Sequence, residues 1–295
     1  MTNKNIYIPF IILSVFFSAA LSALIKLAQQ DTNVFTAAFF RFFFGILLLF
    51  PFFIKTKLKV LKTPNLKIHI LRVIIIYPSM LLFFYAINFV SIEKANSLTF
   101  VVPFITTILA IIFLKEKIYI HRIISLILGF IGMLIIIRPG IIEVSLGVYM
   151  ILISSFLWGI VIIITKKLSK DDSALTILSY QYIFMFLISF VFAIFNWQPP
   201  SLESLIYLFL AGLSGTIFHL TSYQAYKLVD VSLVQPYFFL VLVFASIFGY
   251  FIFKEIPDIY TWIGTGIIFT GALIISIKEI QINKSIVSKN LNTEL

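Results

Sequence analysis

Residues 11–36 read IILSVFFSAALSALIKLAQQDTNVFT, and residues 151–176 read ILISSFLWGIVIIITKKLSKDDSALT. At this offset of 140, Ile11, Ser14, Phe16, Lys26, Asp31 and Thr36 recur as Ile151, Ser154, Phe156, Lys166, Asp171 and Thr176. The register continues outward through Phe44, Leu47, Phe50 and Ile54, which recur as Phe184, Leu187, Phe190 and Ile194. At offset 139, Ala86, Val90, Phe100, Lys115, Glu116 and Gly132 recur as Ala225, Val229, Phe239, Lys254, Glu255 and Gly271. Apolar matches are cheap in so apolar a chain. Matches of Lys, Asp, Glu, Thr and Gly at one spacing are not, and they divide the chain into two copies of about five hydrophobic segments each. Repeats of this size in a membrane chain point to a carrier whose site lies between the halves.

The chain has 295 residues, of which 61% are hydrophobic and 12% charged, with a mean hydropathy of +1.10. Too little polar surface exists to cover a soluble domain, so the fold class is all-α integral membrane. A spanning helix needs roughly 20 apolar residues. Ten such segments are predicted, at 7–28, 34–54, 69–90, 95–114, 119–137, 146–165, 174–195, 204–226, 231–253 and 259–277. The repeats then occupy 1–140 and 141–280, followed by a tail at 281–295. Lys4 ahead of the first segment, and Ser18-Ala19-Ala20 within it, resemble a leader. Its repeat partner at 146–165 argues for a retained span.

The net charge of +10 could suggest nucleic acid, but the cations are placed by topology. Seventeen of the 22 Lys and Arg, with Arg72 counted beside Lys55–Lys67, fall at one set of segment ends. Lys26, Lys94, Arg138 and Lys254 fall at the other. The positive-inside rule places both termini in the cytoplasm. Five spans per half is an odd number, so the copies enter the membrane in opposite senses.

Arg41, in Phe39-Phe40-Arg41-Phe42-Phe43-Phe44, reads as the one charge well inside a span. A cation there costs about 2.5–3.5 kcal/mol on insertion scales and should face the bundle interior or water. It suits bidentate binding of a carboxylate or phosphate, or it is held by backbone carbonyls; both readings stand. Its repeat partner is Gln181. Ser14, Ser18 and Ser22 form a small polar face suited to close packing, and Trp158 replaces Ser18 in the second copy as a candidate aromatic wall. Tyr182, His219, Tyr223 and Tyr237 are further candidates for a hydrated cavity lining, with His219 and Tyr223 four apart on one face.

Pro78, Pro103 and Pro236 interrupt the third, fourth and ninth segments, as kinks or as the broken helices of a transport site. No Asp or Glu is expected deep in a span, which disfavours proton symport and leaves His219 as its one route. Asp171-Asp172 reads as a solvated helix cap. The chain has no Cys, and no nucleotide loop, metal-ligand cluster or paired-carboxylate site is visible. No cofactor and no metal are expected, and a membrane-embedded transferase or a scaffold with an output domain finds no support. The expected partners are a small-molecule substrate and the lipid bilayer, without nucleic acid; a homodimer is left open.

Phe39-Phe40-Arg41-Phe42, the stretch Ala95–Pro103, Leu114-Lys115-Glu116, Gly129-Phe130-Ile131-Gly132 and Phe253-Lys254-Glu255, taken in order with the repeat, resemble the drug/metabolite transporter superfamily in its EamA branch. The resemblance implies ten helices in two inverted repeats, alternating access around a central cavity, and a bacterial inner-membrane address. Within that branch, Ala38–Phe44, His69-Ile70-Leu71-Arg72 and Phe251–Asp258 are similar to S-adenosylmethionine uptake carriers. That subgroup implies uptake or exchange of a zwitterionic, sulfonium-bearing substrate, with Arg41 meeting its carboxylate and Trp158 or Tyr182 its adenine or sulfonium. Exporters of amino acids or other metabolites share the scaffold and remain the alternative.

Overall fold

The computed structural model describes residues 7–90, 95, 98–99, 101–138, 146–254, 256 and 258–293. Lys4, Glu93, Lys94, Phe100, Glu255 and Pro257 lie outside them. Among the described residues every regular element is a helix. Eight are long and apolar enough to cross a membrane: α1 (Tyr7–Ala28), α2 (Val34–Lys55), α3 (Leu66–Ala86), α6 (Leu146–Leu168), α7 (Ala174–Phe195), α8 (Leu202–Leu228), α9 (Val231–Phe253) and α10 (Ile259–Thr293). Two shorter apolar helices, α4 (Val101–Leu114) and α5 (Ile120–Ile137), lie on the fourth and fifth expected segments. The apolar stretch of α10 gives out near Ile282, and its helix continues to Thr293.

The copies are interleaved. α1 packs along α8 and α9, while α6, its repeat equivalent, packs along α3 and α4. α2 meets α7 and α8, and α5 pairs with α10. The loop before α2 and the loop before α7 make equivalent joints with opposite placement. Before α2, Asp31 accepts from the Ser204 hydroxyl and, at 3.2 Å, from the Ser201 backbone N–H, so it reaches the start of α8. Before α7, Asp172 accepts from Thr63 at 3.0 Å, and Asn65 donates to Asp171 at 3.3 Å, so this loop reaches the start of α3. The start of α2 and the start of α3 lie at opposite ends of α2. The equivalent loops therefore sit at opposite ends of the bundle.

Local chemistry repeats as well. Asn33 caps α2 by accepting from the Thr36 N–H at 2.9 Å, and Ser173 caps α7 by accepting from the Thr176 N–H at 3.0 Å. The expectation that Asp171-Asp172 caps this helix in solvent is corrected. Ser173 occupies the cap, and Asp172, 3% exposed, is buried against His69 at 3.1 Å. Lys115 and Lys254, repeat equivalents, each end their helix in the left-handed region, at φ 55° and 58°. Their N–H groups bond back to the carbonyls of Ala110 and Gly249, which are also equivalent. In the ninth segment, Gln235–Phe239 is a 3₁₀ turn with Pro236 in its first turn, so the expected interruption there is a real break in the helix. Pro78 is accommodated inside α3, and Pro103 sits in the first turn of α4.

A left-handed conformation costs an L-residue about 1–2 kcal/mol, and glycine returns about half of that as unfolded-state entropy. Lys115→Gly and Lys254→Gly should therefore each stabilise the fold by about 0.5–1 kcal/mol. The gain would be read as a higher melting temperature in detergent, and a lower one in both variants would show that the lysine side chains outweigh the backbone strain.

Asp31 lies outside the spans, and hydrogen bonds from Ser201 and Ser204 hold its carboxyl below the ordinary value. A carboxyl depressed in the folded state adds stability above its unfolded pKa and loses it as pH falls through the folded one. Asp31→Asn should be less stable than the parent at neutral pH and should lose less on acidification below about pH 4. Parallel acid melting curves for the two proteins would refute the role of this joint.

Candidate functional site

At the meeting of the halves lies a cavity of about 160 Å³. One water needs about 10–15 Å³ by such a measure, so the space exceeds that of a structural water. Arg41, Ser18, Trp158, Gln181 and His219 all line it. Ser79, Met80 and Phe84 of α3, Ser154 of α6 and Gln235 of α9 complete its polar and aromatic character. Both members of the two asymmetric repeat pairs, Arg41 with Gln181 and Ser18 with Trp158, therefore face one space.

Arg41 sits seven residues into α2, roughly 10 Å from that end of the helix. It is 4% exposed. Two glycines of α8 make room for it: a Cβ on Gly212 would lie 3.0 Å from the Arg41 carbonyl oxygen, and one on Gly215 would lie 3.0 Å from Nη2. The guanidinium lies over the Phe42 ring at 4.7 Å and near Phe84 at 5.8 Å. Nη1 donates to the Met80 sulfur at 3.4 Å, Nη2 meets His219 Nε2 at 3.4 Å, and Nε has no hydrogen-bond partner. No carboxylate among the described residues is paired with it. Guanidinium nitrogens only donate, so His219 Nε2 must accept and the ring is neutral with its proton on Nδ1. That proton points to the Tyr223 hydroxyl at 3.3 Å. A thioether is a weak acceptor, and neither it nor a neutral imidazole brings a negative charge, so the arrangement leaves the cation able to take a carboxylate from the cavity.

The sequence profile of the EamA-like transporter family matches residues 5–138 and again residues 145–277. The chain belongs to this family. The chain is 31% identical over 279 residues to an S-adenosylmethionine uptake transporter of Rickettsia bellii, covering 95% of this chain and 96% of that protein. The corresponding transporter of Rickettsia prowazekii is also 31% identical, with 95% and 94% covered. A riboflavin transporter of Brucella anthropi is 26% identical, with 80% and 85% covered. A crystal structure of a protein 14% identical superposes with a TM-score of 0.74 over 92% of this chain and 97% of its own, which shows the shared fold. The two family matches divide the chain where the 140-residue repeat divides it. As an EamA-family transporter, it carries its central cavity where the two copies meet.

Three candidates are not on that cavity wall. Tyr223 lies one helical turn beyond His219, with its hydroxyl between His219, Gln181 and Arg72. Tyr182, 1% exposed, packs between α2 and α8: its hydroxyl accepts from Thr216 at 3.2 Å, and its ring fills the space that a Cβ on Gly45 would need. Tyr237 faces α10, where Ser276 donates to its hydroxyl at 2.9 Å. The 3₁₀ turn explains this: three residues per turn bring Gln235, Phe238 and Val241 to the cavity and rotate Tyr237 away.

The reading of Arg41 as the one internal charge is corrected. α3 begins at Leu66, three residues before the expected segment, and Arg72 is fully buried inside it. Its Nε donates to Thr165 at 2.7 Å and its Nη2 to Gln181 Oε1 at 3.0 Å. Removing Arg72 from the loop cations leaves the charge bias intact. The apolar residues on both sides of Arg72, in Ile68-His69-Ile70-Leu71-Arg72-Val73-Ile74, are the signal that could have found it.

Gly215→Val should push the Arg41 guanidinium off its seat and raise the KM for substrate about tenfold or more, since charged hydrogen bonds are worth about 1.5–3 kcal/mol. Membrane abundance should be unchanged. A normal KM in that variant would show that Arg41 need not hold this position.

Proposed function

We propose that this transporter is a ten-helix secondary carrier of two inverted five-helix repeats, 1–140 and 141–280, with both termini and the 281–295 tail in the cytoplasm of a bacterium. It sits in the inner membrane and takes up S-adenosylmethionine, in exchange for a related internal compound, by alternating access. One observation carries the substrate class: Arg41 is buried on the cavity with an unpartnered Nε and no paired carboxylate among the described residues. A zwitterion with a carboxylate answers it. The aromatic walls, Trp158 and Phe238, suit the other end of that molecule, an adenine ring and a sulfonium, through stacking and cation–π attraction. The relatives named as S-adenosylmethionine uptake transporters support the same substrate at greater identity and coverage than those named for riboflavin. Riboflavin, neutral and without a carboxylate, leaves Arg41 unanswered.

In this reading Arg41 binds the carboxylate, Trp158 and Ser18 form opposing walls, and Gln181 and His219 hold the polar floor. Tyr223 acts through Gln181 and His219, and Tyr182 and Tyr237 support the helices that carry the site. His219, neutral and bonded through both ring nitrogens, serves as a positioning group rather than a proton carrier.

Purified protein in liposomes should take up labelled S-adenosylmethionine, faster when S-adenosylhomocysteine is inside, with excess riboflavin failing to compete. Arg41→Ala should lower uptake at least about tenfold by the loss of a charged hydrogen-bonding partner. Absence of both uptake and counterflow would remove this substrate while leaving the transporter class in place, and normal uptake by Arg41→Ala would reduce that residue to a structural one.

A further inference from the structure

Arg41 has a glutamine, Gln181, at its repeat-equivalent position, so along the sequence only the first copy carries a cation there. In space the second position is not without one. The Arg72 guanidinium, from α3 of the first copy, lies against Gln181 and Tyr223 and under the Tyr223 ring plane at 4.8 Å. Arg72 is fully buried, and among the described residues no carboxylate is paired with it. Its Nε and Nη2 are hydrogen-bonded, whereas Nη1 has no partner. Beside it is a second, small space of about 10 Å³, room for about one water.

The partition between the two spaces is thin. Trp158, Ile162, Phe218 and His219 line both of them. The imidazole touches each side, Arg41 through Nε2 and Tyr223 through Nδ1, and Tyr223 in turn receives a hydrogen bond from Arg72. Arg41 lies seven residues from the start of α2, and Arg72 lies six residues from the start of α3, which is at the opposite end of the bundle. Arg41 and Arg72, each without a paired carboxylate among the described residues and each with one nitrogen unsatisfied, thus stand toward opposite ends.

We propose that Arg72, with Gln181 and Tyr223, is a second carboxylate-binding station, which takes the substrate's carboxylate over from Arg41 when the Trp158–His219 floor opens toward the cytoplasmic end. The inference rests on the substrate reading above and names a new site within it. Its physical basis is charge continuity. In an inverted-repeat carrier the two halves exchange roles between access states, and a carboxylate leaving one buried cation needs another on the far side of the partition. Gln181 alone offers that carboxylate no charge. Arg72, already held by Gln181 on one terminal nitrogen, presents the other.

The test uses carboxylate discrimination, the ratio of inhibition constants for decarboxylated S-adenosylmethionine and S-adenosylmethionine itself, measured on each face in right-side-out and inverted membrane vesicles. Arg72→Gln should cut that ratio about tenfold or more on the cytoplasmic face and leave it unchanged on the outer face, where Arg41→Gln should have the complementary effect. A structural role for Arg72 would lower transport without changing discrimination on one face alone. A wild-type ratio on both faces in Arg72→Gln, or a loss on the outer face, overturns the station. If Arg72→Gln does not accumulate in the membrane, Arg72→Lys, which keeps the charge and loses the fork, carries the same comparison with a smaller cytoplasmic-face loss expected and the same outcomes overturning it. Wild-type vesicles that do not respond to S-adenosylmethionine overturn the substrate reading itself, and this inference falls with it.

Discussion

A guanidinium inside a bilayer-spanning bundle must be hydrogen-bonded, hydrated or neutralised, because hydrocarbon offers it nothing. Arg122, buried near the start of α5, is paired with Asp230; Arg41 and Arg72 lie deeper, and the surrounding structure is arranged about them. Neither is paired with a carboxylate among the described residues. Met80 and His219 partly satisfy Arg41, while Thr165, Gln181 and Tyr223 partly satisfy Arg72. Gly212 and Gly215 exist as glycines beside Arg41 because a Cβ at either would press on it. The donors left over are a standing demand for an anion. An internal acid would answer that demand permanently and close the site to a ligand. Hydroxyl, amide, thioether and imidazole acceptors hold the cations in place without cancelling their charge.

These partners come from both copies. Arg72 belongs to the first, and Thr165, Gln181 and Tyr223 belong to the second. Interleaving, in which α1 packs on α8 and α6 packs on α3, makes such cross-copy bonds possible. It also makes the ends reciprocal, since the loop before α2 holds the start of α8 and the loop before α7 holds the start of α3. The joints are not chemically equal. The Asp31 joint is bonded by two serines, whereas the Asp172 joint includes a buried histidine, His69, stacked on Tyr180 at 4.6 Å. Matched backbone joints with unmatched side chains allow one end to be held more firmly than the other, which a carrier with a preferred resting state requires.

Much of the architecture was legible in the sequence because it depends on local chemistry at a fixed period. Thr36 and Thr176, or Lys115 and Lys254, occupy equivalent positions in the folded chain as they do in the sequence, down to the same left-handed helix end. The cavity was legible to the extent that symmetry is broken there: Arg41 against Gln181, and Ser18 against Trp158, converge on one space. Counting Arg72 with the loop cations hides it, although the expected segment 69–90 contains it and apolar residues flank it on both sides; its depth depends on α3 starting at Leu66, where Thr63 and Asn65 bond to Asp172 and Asp171 of the other copy. No local signal at Leu66 states that. Tyr237 is a lining candidate by residue type near the start of the ninth segment, and the 3₁₀ turn at Gln235–Phe239 turns it toward α10 instead. Tyr182, one residue from Gln181 and about 100° around the helix, shows how little separates lining from packing when both neighbours are aromatic or polar.

The same charges bear on the mode of transport. On the proposed reading, an empty carrier that changes access must move its halves past one another with Arg41 and Arg72 unpaired with any carboxylate among the described residues, and in a narrow, weakly polar space that state is costly. A carboxylate-bearing substrate neutralises one guanidinium and lowers that cost for the loaded form alone. On the proposed reading, loaded molecules change access faster than empty ones in both directions, which is the kinetic condition for exchange. A proton would not substitute for the substrate. The imidazole best placed to take one, His219, already directs its Nε2 lone pair at Arg41, and protonating it would set two cations against each other. On the proposed reading, partly satisfied cations with no paired acid among the described residues favour exchange of one zwitterion for another over proton-driven accumulation.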